Sequence, residues 1–308
     1  MAHTLKSCPK VAMNGAIQGT IIIFCLWRRL TKERLLYMNA MGKIGFLGGG
    51  RMAEALIRGM LEGGLVAADH IHVVDPDPGR CALMAETYKV AVSTQYTPVW
   101  QCDVIILAVK PQIMGRLLEE CCADIKPRHL LISIAAGIPL EFMEQRLVKG
   151  CRVVRVMPNT PALVMAGASA LSPGKEVGPE DLAVARKIFD TVGITVMMAE
   201  SSLDAVTGLS GSGPAYVFAF LDSLIEAGLK VGLARDDAEK LAQQTILGSV
   251  RLAMETGEHP AQLKAMVTSP GGTTIAGLHE LEKAGFKAAI MNAVEAATNR
   301  SRELGKLL

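Results

Sequence analysis

Lys43-Ile44-Gly45-Phe46-Leu47-Gly48-Gly49-Gly50-Arg51-Met52-Ala53 is the stretch that decides the fold. Its first five residues are a short apolar strand, and the next six read G-x-G-x-x-A. The chain then continues as a helical pattern, Ala55-Leu56-Ile57-Arg58-Gly59-Met60-Leu61. Strand, glycine turn and helix in this order suit a dinucleotide. Gly48 permits a tight turn, Gly50 lets the backbone approach a pyrophosphate, and Ala53 lets helix and strand pack closely. Amides at the helix N-terminus, with its dipole, then hold the phosphates. Taken alone, the motif is equally a glycine turn kept for packing. A second strand, Ile71-His72-Val73-Val74, supplies the context by ending at Asp75, roughly 20 residues past the motif, where a carboxylate can bind an adenosine ribose.

Further strands follow outward from this unit. Val90–Ser93 is short, whereas Asp103–Val109 is a continuous apolar run, as a parallel strand buried on both faces requires. It ends at Lys110-Pro111, where proline turns the chain outward. Leu130–Ile134 ends at Ala135-Ala136-Gly137, and Arg152–Met157 ends at Pro158-Asn159-Thr160-Pro161. Helical stretches at Ile113–Cys122 and Leu140–Leu147 separate these strands. In an open doubly wound sheet, ligands lie beyond the carboxyl ends of the strands. Ala108-Val109-Lys110-Pro111, Ala135–Gly137 and Pro158–Thr160 are therefore candidate nicotinamide loops.

Beyond about residue 180 the strand signal fades, with Thr195–Met198 a last short candidate. Ala, Leu and Met then dominate five helical patterns: Ala215–Lys230, Asp236–Glu255, Ala261–Met266, Thr274–Lys283 and Lys287–Leu304. Two interruptions stand out. Leu209-Ser210-Gly211-Ser212-Gly213-Pro214-Ala215 and Thr268-Ser269-Pro270-Gly271-Gly272-Thr273-Thr274 each place proline and glycine before a helix. Such starts expose free amides beside hydroxyls and suit a small anion, although ordinary capping explains an isolated case. The fold class expected is α/β: an N-terminal Rossmann-type doubly wound parallel sheet followed by an all-helical C-terminal dimerisation domain. The divisions are an atypical extension at 1–40, a dinucleotide-binding domain at 41–200 and a helical domain at 201–308, to which the resemblance given below assigns substrate binding and dimerisation.

Composition narrows the partners. The 308 residues carry 32 basic and 30 acidic side chains, a net charge of +2, and only 4% aromatics. A phosphate-neutralising face or a stacking platform for nucleic acid is not expected. Seven cysteines without a CxxC pair read as buried thiols of a reducing compartment. Six histidines without HExxH or Cys/His grouping point to no metal site. The run Ile21–Trp27, counted generously from Ala16, gives about a dozen uncharged residues, short of the roughly 20 that span a bilayer. A secretory signal is conceivable there, since Lys6 and Lys10 precede the run, but no small-residue cleavage site follows. The plainer reading is an upstream extension of a chain whose functional start is Met41.

Asp204–Tyr216, His259-Pro260 and Ser269-Pro270-Gly271-Gly272-Thr273-Thr274 continued by Leu278–Glu282 carry a resemblance to the pyrroline-5-carboxylate reductase family. Gly48–Ala53, Ala108–Pro111 and Met157–Pro161 match that family's cofactor half, so the likeness spans about residues 42–305. It implies reduction of 1-pyrroline-5-carboxylate to L-proline by NADPH or NADH, the last step of proline biosynthesis. It also implies a homodimer or higher homo-oligomer such as a pentamer of dimers, in the cytoplasm. Residue by residue, Gly48, Gly49, Gly50, Arg51, Met52 and Ala53, with Ala108, Val109, Lys110, Pro111, Ala135, Ala136 and Gly137, resemble the cofactor loops. Gln95 falls loosely where the family contacts the adenosine half. Glu200 falls where an acidic residue approaches proline. Ser269, Gly271, Gly272, Thr273 and Thr274 align with the substrate end of the signature, Thr274 near the ring nitrogen.

Two departures bear on specificity. Family members often carry a small polar residue where this sequence has Asp75; a carboxylate there repels a ribose 2′-phosphate and favours NADH, although nearby Arg80 could serve NADPH. Gly257 replaces a polar residue that some members use near substrate. A protonated cyclic imine already accepts hydride, so the expected roles are positional. Amides of Ser269–Thr273 hold the carboxylate and the Thr274 hydroxyl engages the nitrogen, while Lys110, which could be argued as a proton donor, is read as a structural or phosphate-side group because Pro111 turns the chain immediately. The rival readings are another Rossmann-plus-helices reductase, of hydroxy-acid or deazaflavin type, and a non-enzymatic NAD(P)-sensing scaffold. The former needs a placed lysine or histidine base that Ser210–Ala215 lacks. The latter has no use for a carboxylate site.

Overall fold

The computed structural model describes residues 42–306. The extension at 1–40, its apolar run and Met41 lie outside the described residues. Eight strands form one sheet: β1 (Ile44–Leu47), β2 (Ile71–Val74), β3 (Ala91–Ser93), β4 (Val104–Leu107), β5 (Leu130–Ser133), β6 (Arg152–Met157), β7 (Gly167–Pro173) and β8 (Gly193–Met197). Their order is β3-β2-β1-β4-β5-β6-β7-β8, and every pair is parallel except β6 with β7. The first six are the doubly wound order whose switch point lies between β1 and β4.

Apolar runs explain why the centre is so well buried. Along β4, Ile106 packs in one layer with Phe46, Leu56 and Ile188, whereas Ile105 and Leu107 pack in the other with Met114, Leu118 and Met143. Each such side chain contributes about 1.5–3 kcal/mol by leaving water. Helix α1 (Arg51–Glu62) covers the first face, helix α3 (Pro111–Cys121) the second, and α2 (Pro78–Tyr88) lies between β2 and β3. Short α4 (Leu140–Glu144) and α5 (Pro179–Asp190) complete the layers. Burial pushes the Cys102 and Cys121 thiols up to about 11, which removes both as nucleophiles at neutral pH. Among the described residues no helix is long and apolar enough to cross a membrane.

β7 is the element that the sequence reading lacks. Gly167-Ala168-Ser169-Ala170-Leu171-Ser172-Pro173 has little β-propensity and ends on proline. Antiparallel pairing with β6, from Val154 against Pro173 to Met157 against Ala170, holds it in the sheet.

After β8 a turn at Glu200–Ser202 leads into helices only. They are α6 (Leu203–Val206), α7 (Gly213–Lys230), α8 (Arg235–Thr256), α9 (Pro260–Met266), α10 (Thr273–Lys283) and α11 (Phe286–Lys306). One expectation changes here. Leu209-Ser210-Gly211 is not an open turn before a helix; Thr207–Gly211 is a π-helical turn that prolongs α6, and only Ser212 breaks it. The Ser212 amide donates to Thr207 O at 2.8 Å, so it is not free for an anion. Proline tolerates this junction because Pro214 lies in the first turn of α7, where its missing N–H costs nothing. Helix α11 packs on the π turn so closely that a Cβ on Gly208 would lie 2.2 Å from Thr298 Oγ1. Ser301 Oγ donates to Asp204 Oδ1 at 2.6 Å across the same contact.

Candidate active site

The glycine-rich turn follows β1 at the carboxyl edge of the sheet. Gly48 has φ +100, and a Cβ there would lie 2.6 Å from Ala108 O, so only glycine lets the turn lean on the end of β4. Gly50 caps α1 without any side-chain hydrogen bond, and nothing lies within 4 Å of its open side. Uncapped amides facing open space fit a cofactor pyrophosphate. Arg51 is the first residue of α1 and exposed, Met52 is half-buried against the sheet, and Ala53 is fully buried beneath the turn.

Asp75 leaves the end of β2 and reaches back to this turn. Its Oδ2 accepts from Gly49 N at 2.7 Å and its Oδ1 from Asp77 N at 2.9 Å. A carboxylate offers about four acceptor positions, so two remain for ribose hydroxyls. Gln95 is exposed just past β3, in a turn closed by Ser93 Oγ accepting from Gln95 N at 2.8 Å.

The loops after β4 and β5 converge on a cleft between the sheet and the helices. A cavity of about 430 Å³ is lined by Pro111, Ala136 and Gly137 from the sheet half and by Thr207, Ser212 and Arg300 from the helical half. Ala108 and Val109 are half-buried behind it, and Ala135 is buried at the end of β5. Lys110 is exposed at the N-cap of α3, its carbonyl accepting from Ile113 N at 3.0 Å. Asn159, just past β6, ties the sheet to the helical half, donating from Nδ2 to Ser210 O at 3.1 Å and accepting from Ala168 N at 2.8 Å.

Glu200 has a different setting. Its Oε1 accepts from Arg155 Nη1 at 2.9 Å and from Leu140 N at 2.6 Å, and it borders a separate cavity with Ser172 and Met198. Within one chain the carboxylate clamps β6, α4 and the start of the helical half. Arg155, whose side chain is only 8% exposed, is the partner that sequence reasoning missed. The signal was a cation inside the apolar run Val153-Val154-Arg155-Val156, which demands a paired anion.

The loop 268–274 forms a third feature. Gly271 takes φ +67, Gly272 caps α10 without side-chain help, and Thr273 and Thr274 are the first two helical residues. Ser269 Oγ overlies Gly272 so closely that a Cβ there would lie 2.3 Å away. Gly272 N donates to Ser269 O at 3.1 Å, so the amides of this helix start left without a side-chain cap are those of Thr273 and Thr274. Thr268, Gly271 and Gly272 of this loop border a cavity of about 760 Å³ that shares no residue with the cleft at Pro111 and Gly137. Gly257, by contrast, closes α8 with φ +66, the left-handed cap that favours glycine.

A family model described as pyrroline-5-carboxylate reductase dimerisation matches residues 200–304, and one described as NADP oxidoreductase, coenzyme F420-dependent, matches 43–137. A pyrroline-5-carboxylate reductase of Methanosarcina acetivorans is 48% identical over 86% of this chain and 98% of its own. The chain belongs to the pyrroline-5-carboxylate reductase family. That of Synechocystis is 47% identical over 86% of this chain and 98% of the relative. The crystal structure of the Plasmodium falciparum pyrroline carboxylate reductase with NADP bound is 36% identical, with a TM-score of 0.79 over 87% of this chain and 99% of the other. As a member of the family, this reductase is an oxidoreductase using a nicotinamide cofactor, with the Rossmann half and helical dimerisation half described above.

Proposed function

We propose that this reductase converts 1-pyrroline-5-carboxylate to L-proline with NAD(P)H, the closing step of proline biosynthesis, in the cytoplasm. The observation that carries the reading is the loop 268–274. Its glycine-built turn starts α10 without a side-chain cap, which leaves the first-turn amides of Thr273 and Thr274 suited to a carboxylate, with the Thr274 hydroxyl beside them. The cofactor supplies a hydride to the imine carbon. Amides of Gly271 and Thr273, with the Ser269 hydroxyl, hold the substrate carboxylate, while Gly272, whose own amide donates to Ser269 O, shapes the turn. The Thr274 hydroxyl accepts from the iminium N–H and stays with the amine of the product. Gly48–Ala53 hold the pyrophosphate, Asp75 and Gln95 the adenosine half, and Ala108–Pro111 with Ala135–Gly137 frame the nicotinamide. Glu200 and Arg155 tie β6 and the start of α4 to the beginning of the helical half. No proton need come from Lys110, because the iminium is protonated before it accepts hydride.

The separation of the signature loop from the nicotinamide cleft supports a site shared between two copies. In the homodimer, and in a pentamer of dimers, loop 268–274 of one copy faces the cleft of the other. The division of labour is 41–200 for cofactor and 201–308 for substrate and dimerisation. The Asp75 carboxylate favours NADH, because it repels a 2′-phosphate where it welcomes two hydroxyls.

Oxidation of NAD(P)H by the purified protein tests the reading. It predicts turnover with 1-pyrroline-5-carboxylate and none with pyruvate-type acids. Turnover with the latter alone would contradict it.

A further inference from the structure

Arg80 lies in the first turn of α2, just beyond Asp75, where a Rossmann fold commonly offers a cation to a ribose 2′-phosphate. Here that guanidinium is already engaged. Its Nε donates to Gly49 O and its Nη2 to Glu54 Oε2, while Tyr88 Oη donates to Glu54 Oε1 at 3.0 Å. The Arg80 and Glu54 side chains are only 20% and 27% exposed. Gly49 is thus gripped on both sides, its N–H by Asp75 and its C=O by Arg80.

We propose that Glu54 is a specificity-determining residue for the cofactor: by holding Arg80 it withholds from a 2′-phosphate the cation that the fold otherwise supplies, and so favours NADH over NADPH. This rests on the reading that the glycine-rich turn carries the adenosine half of the cofactor. Glu54 acts through charge and geometry together. Its carboxylate neutralises Arg80 and occupies the terminal nitrogen that a phosphate would need. The Nε bond to Gly49 O is independent of Glu54, so a released guanidinium remains tethered at the mouth of the turn. The pair persists at neutral pH. Burial opposes ionisation of Glu54, but hydrogen bonds from Arg80 and Tyr88 and the charges of Arg80 and Arg58 outweigh it and hold the carboxyl below its ordinary value. The first-turn position of Glu54 in α1 adds a favourable dipole contact.

The test is calorimetric binding of 2′,5′-ADP and 5′-AMP to the intact protein, alongside kcat and KM for NADPH and NADH. In Glu54→Gln the affinity ratio of 2′,5′-ADP to 5′-AMP is expected to rise about tenfold, the size of one charge-assisted contact. The change in NADPH use should fall on KM rather than kcat. Adding Arg80→Met should erase the gain. Arg80→Met alone should leave the ratio near wild type, because the guanidinium is already withheld; this arm does not depend on Glu54→Gln folding. A tenfold fall in the ratio on Arg80→Met alone would overturn the proposal, as would an unchanged ratio in folded Glu54→Gln. Asp75→Ser run in parallel tests the ribose carboxylate separately. Its failure with the Glu54 result standing would remove that reading and leave this one.

Discussion

The two halves of this reductase contain similar apolar residues and spend them in opposite ways. In the sheet half, β1, β4 and β5 are buried at every position. In the helical half, the 18 residues of α7 include none that is buried, and the 22 of α8 bury only Ala238 and Ala242. Phe218 is 64% exposed and Met254 73%, with Val250, Leu241 and Met266 also open. Exposed apolar surface on this scale marks an interface, and the dimerisation match over 200–304 names its kind. One half is therefore stable through its own core, and the other is one side of a shared core.

Substitutions can break that contrast, the strongest first. Phe46→Ala should remove about 3–5 kcal/mol of stability, read by chemical denaturation, because Phe46 is fully buried within one chain. Phe218→Asp should instead cost at least 100-fold in association, or about 2.7 kcal/mol or more. The unfolding signal of the sheet half should survive it. If Phe218→Asp leaves assembly intact, the exposed face of α7 is not interface.

Thr274→Ala should lower kcat/KM for 1-pyrroline-5-carboxylate roughly 10- to 100-fold with cofactor affinity nearly unchanged, as loss of one bond to a charged nitrogen implies. A variant with wild-type kinetics and a lowered melting temperature would make Thr274 a simple cap. Glu200→Gln should destabilise by on the order of 1–2 kcal/mol, since it weakens the partner of the buried Arg155 guanidinium. Asp75→Ser should shift preference towards NADPH by about tenfold, or 1.4 kcal/mol. Wild type that already prefers NADPH tenfold would contradict the reading of Asp75.

Much of this was legible in residues. The runs Val104–Leu107 and Leu130–Ser133 announce strands because burial on both faces leaves no polar position. The glycine turn announces itself because its chemistry fixes spacing. β7 hides because its small residues owe their strand to β6, a partner that local propensity does not encode. The π turn at Thr207–Gly211 hides because its glycines and serines read as a loop until α11 packs on them. The clamp from Glu200 to Arg155 spans 45 positions, and its partners meet only once β6 and the turn after β8 are in place. Spacing also carries no sign that loop 268–274 and the cleft at Pro111 and Gly137 border separate cavities within one chain.

Sedimentation velocity with activity measured on the same samples tests the central claim most directly. Across dilution through low micromolar concentration, the helical half should hold the protein as a dimer or a larger closed assembly. Any dissociation should carry turnover down with it. A monomer that retains full specific activity would contradict the account.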